Sequence, residues 1–277
     1  MTRTAQIQSP SRRSNPFGTL LQHWRQVRRK SQLALAIDAE VSPRHVCFIE
    51  TGRARPSRDM VLLLAGALDV PLRERNALLL AAGYAPVYRE TDLESPELGA
   101  VRTALQAILR QQEPFPAVVM NRSWDLLTSN EAASRFFGFL LDQETASGPA
   151  NVIRMMFDPQ GLRPFVLNWE MVAEALITRV HREAVGGDPD ESTVRLLEEV
   201  FSFPGVPRRW QRPSPETPLM PVIPVTFRKG SRMFAYFSTV TTLGTAQDVT
   251  LQELRIECFF PMDAETERNA KELARGE

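Results

Sequence analysis

Between residues 16 and 86 the chain is interrupted at short intervals by residues that begin or end helices, and this punctuation limits its fold more than any other feature. Ser31 is placed to cap a helix carrying Leu33, Ala36 and Ile37 on one face, since a serine oxygen accepts a hydrogen bond from an orphaned N–H of the first turn. Ser42 followed by Pro43 combines an N-cap with the residue best suited to the first helical position, and the helix it opens buries Val46 and Ile49 and stops at Gly52. Ser57 opens another with Val61, Leu64, Ala65 and Leu68 inward, and Pro71 starts a last one that runs to Gly83. Ahead of them, Phe17, Leu20, Leu21, Trp24 and Val27 follow the i, i+3, i+4, i+7 period of an amphipathic helix. The expectation is an all-α domain of five helices over residues 16–86, preceded by a polar, flexible tail at 1–15.

The remainder reads differently. Pro, Glu, Asp and Thr dominate residues 87–96, a predicted linker, and a second domain spans 97–277. A helix around Leu98 to Arg110 precedes two short strands within Ala117 to Ser129 that turn at Asn121 and Arg122. Helical spacing covers Asn130–Phe137, Val152–Phe157, Trp169–Ala184 and Ser192–Phe203. Val222–Arg228, Arg232–Leu243 and Leu251–Phe260 are rich in Val, Thr, Phe and Tyr and separated by Lys229-Gly230 and Gly244-Thr245, which predicts three antiparallel strands before a C-terminal helix from Asp263. This is an α+β, sensor-like arrangement.

Charge divides along the same line. The whole chain balances 33 Lys+Arg against 33 Asp+Glu, yet residues 1–90 hold 14 basic and 7 acidic side chains, leaving 19 and 26 for the rest. A basic first domain joined to an acidic second one implies that the first meets a polyanion.

The second helix, a tight turn at Glu40-Val41 and the third helix form a helix-turn-helix, whose second member lies in the major groove with its N-terminal residues against base edges. Those residues are Ser42, Pro43, Arg44 and His45, and Arg44 is the expected reader, its guanidinium matching the O6 and N7 acceptors of guanine for roughly 1–3 kcal/mol of discrimination. Gln32 is placed to offer its amides to a phosphate, and Arg53, Arg55 and Arg58 follow where the DNA backbone passes. Plainer roles stand beside these. Arg28, Arg29 and Lys30 end the first helix, where cations favour the dipole with any partner; His45 suits an exposed helix position, and Gln32 suits a cap on its own helix. Phe48 suits either a thymine methyl or the core beside Val46 and Ile49.

The run Trp24-Arg25, Ser31-Gln32, Leu35-Ala36, Val41-Ser42, Phe48-Ile49-Glu50, Gly52-Arg53 and Pro56-Ser57-Arg58 resembles the lambda-repressor-like (Xre-type) helix-turn-helix. Pro71 to Asn76 with Leu78 to Pro86 is similar to the subgroup of MmyB-like regulators. The resemblance implies that Arg25 and Glu50 pair to brace the recognition helix. Glu40 stands where the family carries glycine, and Lys30 where it prefers an apolar residue. Further on, Pro116 to Val119, Trp124, Asn130 with Ala132, Asn151-Val152, Pro159 with Gly161-Leu162-Arg163, Asn168-Trp169 and Pro204 to Pro207 resemble the ligand-binding domain of the same group. That implies a PAS-like fold, an apolar pocket for a fatty-acid-like molecule and a homodimer; Asp158 replaces a histidine that the family tends to have. Bulky soft side chains suited to such a pocket are Trp124, Phe136, Phe137, Met156, Trp169, Phe234 and Tyr236, which would equally fill an ordinary core.

Other classes lack their residues. The sequence has no Gly-rich phosphate loop and no G-x-S-x-G elbow, and His23, His45 and His181 are scattered, so neither catalysis nor a cofactor is expected. Asp188, Asp190 and Glu191 suit a solvated helix cap. Cys47 and Cys258 have no histidine at ligand spacing, which speaks against zinc or a disulfide framework. The longest apolar run, Met60 to Leu68, is too short to span a membrane, and residues 1–16 have no signal-peptide core, so a cytoplasmic protein is expected. The sum is a sequence-specific DNA-binding regulator on a palindromic operator, with a ligand-sensing C-terminal domain. The alternative makes that domain a protein-docking module without a small ligand.

Overall fold

The computed structural model describes residues 15–141, 150–184, 191–211, 222–244 and 246–277. Two compact units divide between Tyr88 and Arg89. The first holds helices α1 (Pro16–Val27), α2 (Gln32–Asp38), α3 (Pro43–Glu50), α4 (Arg58–Ala67) and α5 (Leu72–Ala82). Ser31, Ser42 and Ser57 each accept from the backbone N–H three residues on, at 3.0, 3.2 and 3.2 Å. Gly83 closes α5 in the left-handed region at φ 89°, the conformation that lets the last carbonyls find donors.

Trp24, Leu35, Val46, Ile49, Leu64 and Leu79 anchor one core. In α2 the buried residues are Leu35 and Ala36, whereas Leu33 is 57% and Ile37 67% exposed. The predicted face of Leu33, Ala36 and Ile37 is therefore rotated. A seven-residue helix held against α3 and α4 is oriented by its neighbours, and its own periodicity is too short to decide. Asn15, placed by sequence in the tail, is fixed: its side-chain amide donates to the Ile49 and Glu50 carbonyls at 2.9 and 3.1 Å, while its oxygen caps α1. The rest of that tail, and Asp188 and Asp190 of the predicted carboxylate loop, lie outside the described residues.

The stretch read as a linker is shared between the units. Asn76 Oδ1 accepts from the Val87 and Tyr88 N–H groups at 3.0 and 3.1 Å. The Thr91 hydroxyl donates to Asp248 at 2.6 Å, and Leu93 packs beside Leu105 and Leu109 of the second unit.

That unit contains α6 (Gly99–Gln111), β1 (Ala117–Met120), β2 (Leu126–Ser129), α7 (Glu131–Leu141), α8 (Val152–Phe157), α9 (Trp169–Ala184), α10 (Glu191–Ser202), β3 (Val225–Lys229), β4 (Arg232–Thr241), α11 (Val249–Glu253), β5 (Arg255–Pro261) and α12 (Ala264–Arg275). All five strands join one antiparallel sheet in the order β2-β1-β5-β4-β3. β1 is buried on both faces: Ala117 and Val119 meet Leu105 and Leu109 of α6, and Val118 and Met120 enter the larger core with α7, α8 and α9. The strand predicted from Leu251 starts later, at Arg255, because Asp248 accepts from the Thr250 and Leu251 N–H groups and caps α11 first.

Candidate nucleic-acid interface and ligand site

The helix-turn-helix is built around one carboxylate. Arg25 Nε and Nη2 donate to the two oxygens of Glu50 at 2.7 and 2.9 Å, and Gln32 Nε2 donates to the same group at 2.7 Å, so α1, α2 and α3 are locked together. Glu40 occupies the turn at φ 53°, and the Val41 N–H closes it on the Ala36 carbonyl at 2.9 Å. The side-chain amide of Gln32, one of the two groups expected at a phosphate, is thereby committed inside the domain, while its backbone N–H stands in the first turn of α2.

The cations then separate into two sets. Arg28 Nε donates to the Leu68 carbonyl at 2.8 Å, and Lys30 Nζ donates to the Ala67 carbonyl at 2.8 Å and pairs with Asp38 at 2.7 Å. Both finish the C-terminus of α4, the end of a helix that favours positive charge. Lys30 thus meets polar partners where the resemblance implies an apolar side chain. Arg44, Arg53, Arg55 and Arg58 are exposed and form no ion pair among the described residues. Ser42 and Pro43 are exposed beside Arg44, and His45 is half-buried.

From the sequence, the core beside Val46 and Ile49 is the favoured place for Phe48 over a thymine methyl. The structure excludes it from the core that takes Val46 and Ile49 and leaves it half-buried. Arg44 Cζ lies 5.1 Å and Arg53 Cζ 5.9 Å from its ring centroid.

In the second unit the seven predicted pocket residues fall into three places. Phe136 makes edge contacts with Phe137, Phe234 and Tyr236 at centroid distances of 5.3, 5.1 and 5.5 Å, and the cavity beside Phe136 and Tyr236 is only about 10 Å³. Burial pushes the Tyr236 hydroxyl well above the usual tyrosine range. Trp124, at φ 67°, is buried, with the guanidiniums of Arg179 and Arg255 4.6 and 5.2 Å from its ring centroid. Met156 and Trp169 meet elsewhere, the Trp169 Nε1–H donating to the Met156 carbonyl at 2.8 Å.

Trp169 also lines an open cleft of about 370 Å³ with Pro159, Arg163, Pro164 and Pro204. Arg163 Cζ lies 3.8 Å from the Trp169 ring centroid, and its Nη1 donates to the Pro204 carbonyl at 2.6 Å. Gly205 sits at φ 72°, a left-handed conformation that favours glycine, and a Cβ there would come within 2.9 Å of the terminal Nη2 of Arg163. The three asparagines among the resembling residues hold the scaffold. Asn130 Oδ1 accepts from Ala117 and Ala133, Asn151 Nδ2 donates to Ser123 and Asp125, and Asn168 ties the start of α9 to Pro224 and Thr226. No metal-holding cluster of His, Cys, Asp and Glu and no helix long and apolar enough to cross a membrane occur among the described residues.

Residues 101–273 match the MmyB-like transcription regulator ligand binding domain. The chain belongs to that family. Residues 16–78 of this MmyB-like regulator match a helix-turn-helix domain, so a DNA-binding unit precedes a ligand-binding one. No curated protein matches the chain. A solved structure described as an RNA-binding light-oxygen-voltage receptor is 11% identical with a TM-score of 0.26, the alignment covering 96% of this chain and 64% of that one. This MmyB-like regulator therefore spans 64% of that receptor's length, and the likeness is too slight to bear on its fold or function.

Proposed function

We propose that the protein is a sequence-specific transcriptional regulator that binds a palindromic operator as a homodimer, with Arg44 of each copy reading a guanine and Arg53, Arg55 and Arg58 holding phosphates. The observation that carries this is the separation of cations: Arg28 and Lys30 are committed to carbonyls at the C-terminal end of α4, while Arg44, Arg53, Arg55 and Arg58 are exposed and form no ion pair among the described residues. In a dimer the two recognition helices would enter successive major grooves about 34 Å apart.

Family membership supports a small-molecule effector, and the sheet order β2-β1-β5-β4-β3 with helices inserted between β2 and β3 supports a PAS-like reading. We take the effector to be apolar and fatty-acid-like and place it at the cleft beside Trp169. It acts by binding the DNA-competent and incompetent arrangements unequally, and a tenfold change in operator affinity needs a difference of about 1.4 kcal/mol.

Binding-site selection from a random pool tests the first half: Arg44→Ala should abolish preference for the selected site and keep salt-sensitive non-specific binding, and equal losses on all sequences would remove Arg44 from the reading role. Native mass spectrometry tests the second: an acyl-chain mass should co-purify and disappear in Trp169→Glu. One observation favours the docking-module reading instead, namely that the cavity lined by Phe136, Tyr236, Ala132 and Leu273 holds only about 10 Å³. A clean apo mass from several expression hosts would decide for it.

A further inference from the structure

We propose that Phe48 is a specificity-determining residue of α3, its ring receiving the 5-methyl group of a thymine adjacent to the guanine read by Arg44, so that the two side chains select a thymine–guanine step together. This rests on the DNA-reading role given to α3 above. Three observations carry it. Phe48 stands one turn after Arg44, on the same helix face. It is half-buried and stays outside the core that takes Val46 and Ile49, so packing does not account for an aromatic there. The guanidiniums of Arg44 and Arg53 lie over its ring at 5.1 and 5.9 Å, and neither arginine forms an ion pair among the described residues.

The chemistry follows from what a major groove displays. Guanine offers O6 and N7 as acceptors, and the one apolar group on any base edge is the thymine methyl. A guanidinium resting on a ring has few rotamers left, so Arg44 presents its fork already aligned, and less freedom is lost when it binds. The ring that aligns it brings an apolar edge into the same stretch of groove. Water at that edge is best displaced by the methyl of a neighbouring thymine; cytosine there presents an amine and no methyl.

The test uses the full chain and the operator selected from a random pool, with each thymine replaced in turn by deoxyuridine, which removes only the methyl. At one position per half-site the wild type should lose about four-fold in affinity, the worth of one buried methyl. Phe48→Ala should bind the thymine and deoxyuridine sites equally and discriminate less against replacement of the guanine, and Phe48→Leu should keep part of the methyl preference. Thermal melting of both variants close to wild type confirms the fold. A wild type indifferent to every deoxyuridine, or a Phe48→Ala protein that keeps the four-fold difference, overturns the inference while leaving Arg44 as reader. Failure to select any sequence overturns the DNA-reading role beneath it.

Discussion

Arg25 grips Glu50 with two parallel hydrogen bonds of 2.7 and 2.9 Å, and the two side chains are only 12% and 4% exposed. The hydrogen bond to Glu50 raises the guanidinium above its ordinary pKa against the opposing effect of burial, so the arginine stays charged in every usable buffer. Removing one partner strands a charge at the junction of α1, α2 and α3. Glu50→Ala should therefore destabilise the helical unit by about 3 kcal/mol, and Arg25→Lys should recover little, because an ammonium cannot make the fork. Denaturant midpoints with hydrogen exchange over α1 to α3 measure both. A loss under about 1 kcal/mol would mean that water screens the pair.

The separation of cations has a salt signature. Arg55→Ala should lower the slope of log K against log salt for DNA binding by about 1, the loss of one phosphate contact. Lys30→Met should leave that slope alone and weaken the fold by about 1 kcal/mol, since Nζ serves the Ala67 carbonyl and Asp38. Equal slopes for the two variants contradict the assignment.

Glu40 holds the turn at φ 53°, a conformation that costs a residue with a Cβ on the order of 1 kcal/mol. Glu40→Gly should relieve this and raise the melting temperature of the helical unit by about 5 °C. A lower melting temperature would show that the glutamate side chain stabilises the turn by more than its strain.

At the other end of the chain, Asp263 accepts from the Thr266 N–H at 2.7 Å and caps α12, while the buried Thr266 hydroxyl accepts from the Ala235 N–H of β4 at 2.8 Å. The Thr266 hydrogen bonds hold the Asp263 carboxyl below its ordinary value of 3.8. A carboxyl with a depressed folded value stabilises fully above the unfolded value and loses that effect as pH falls through the folded one. Asp263→Ala should cost about 1 kcal/mol at pH 7, and its deficit relative to wild type should shrink only below pH 3.8. Urea titrations across that range decide it; a deficit constant with pH would assign the loss to packing.

The residues legible in advance act over short distances. Ser31, Ser42, Ser57 and Asp263 each cap a backbone N–H three residues away. The limits of α8 at Val152–Phe157 and α9 at Trp169–Ala184 were likewise readable from helical spacing. The pairing of Arg25 with Glu50 came through a continuous run of motif residues that also marked the family.

The remainder depends on neighbours far along the chain. β1 sits between β2 and β5, pairing Val118 with Ser129 on one side and Glu257 on the other, a register that no local period specifies. The exposure of Leu33 and Ile37 on α2, the capture of Lys30 by Ala67, and the placing of Phe48 outside the core were settled by packing between helices. A cap is satisfied within one turn and is therefore written locally in the amino acids. A buried face or a strand partner is fixed only once distant segments compete for the same apolar surface, and only the tertiary structure settles that competition.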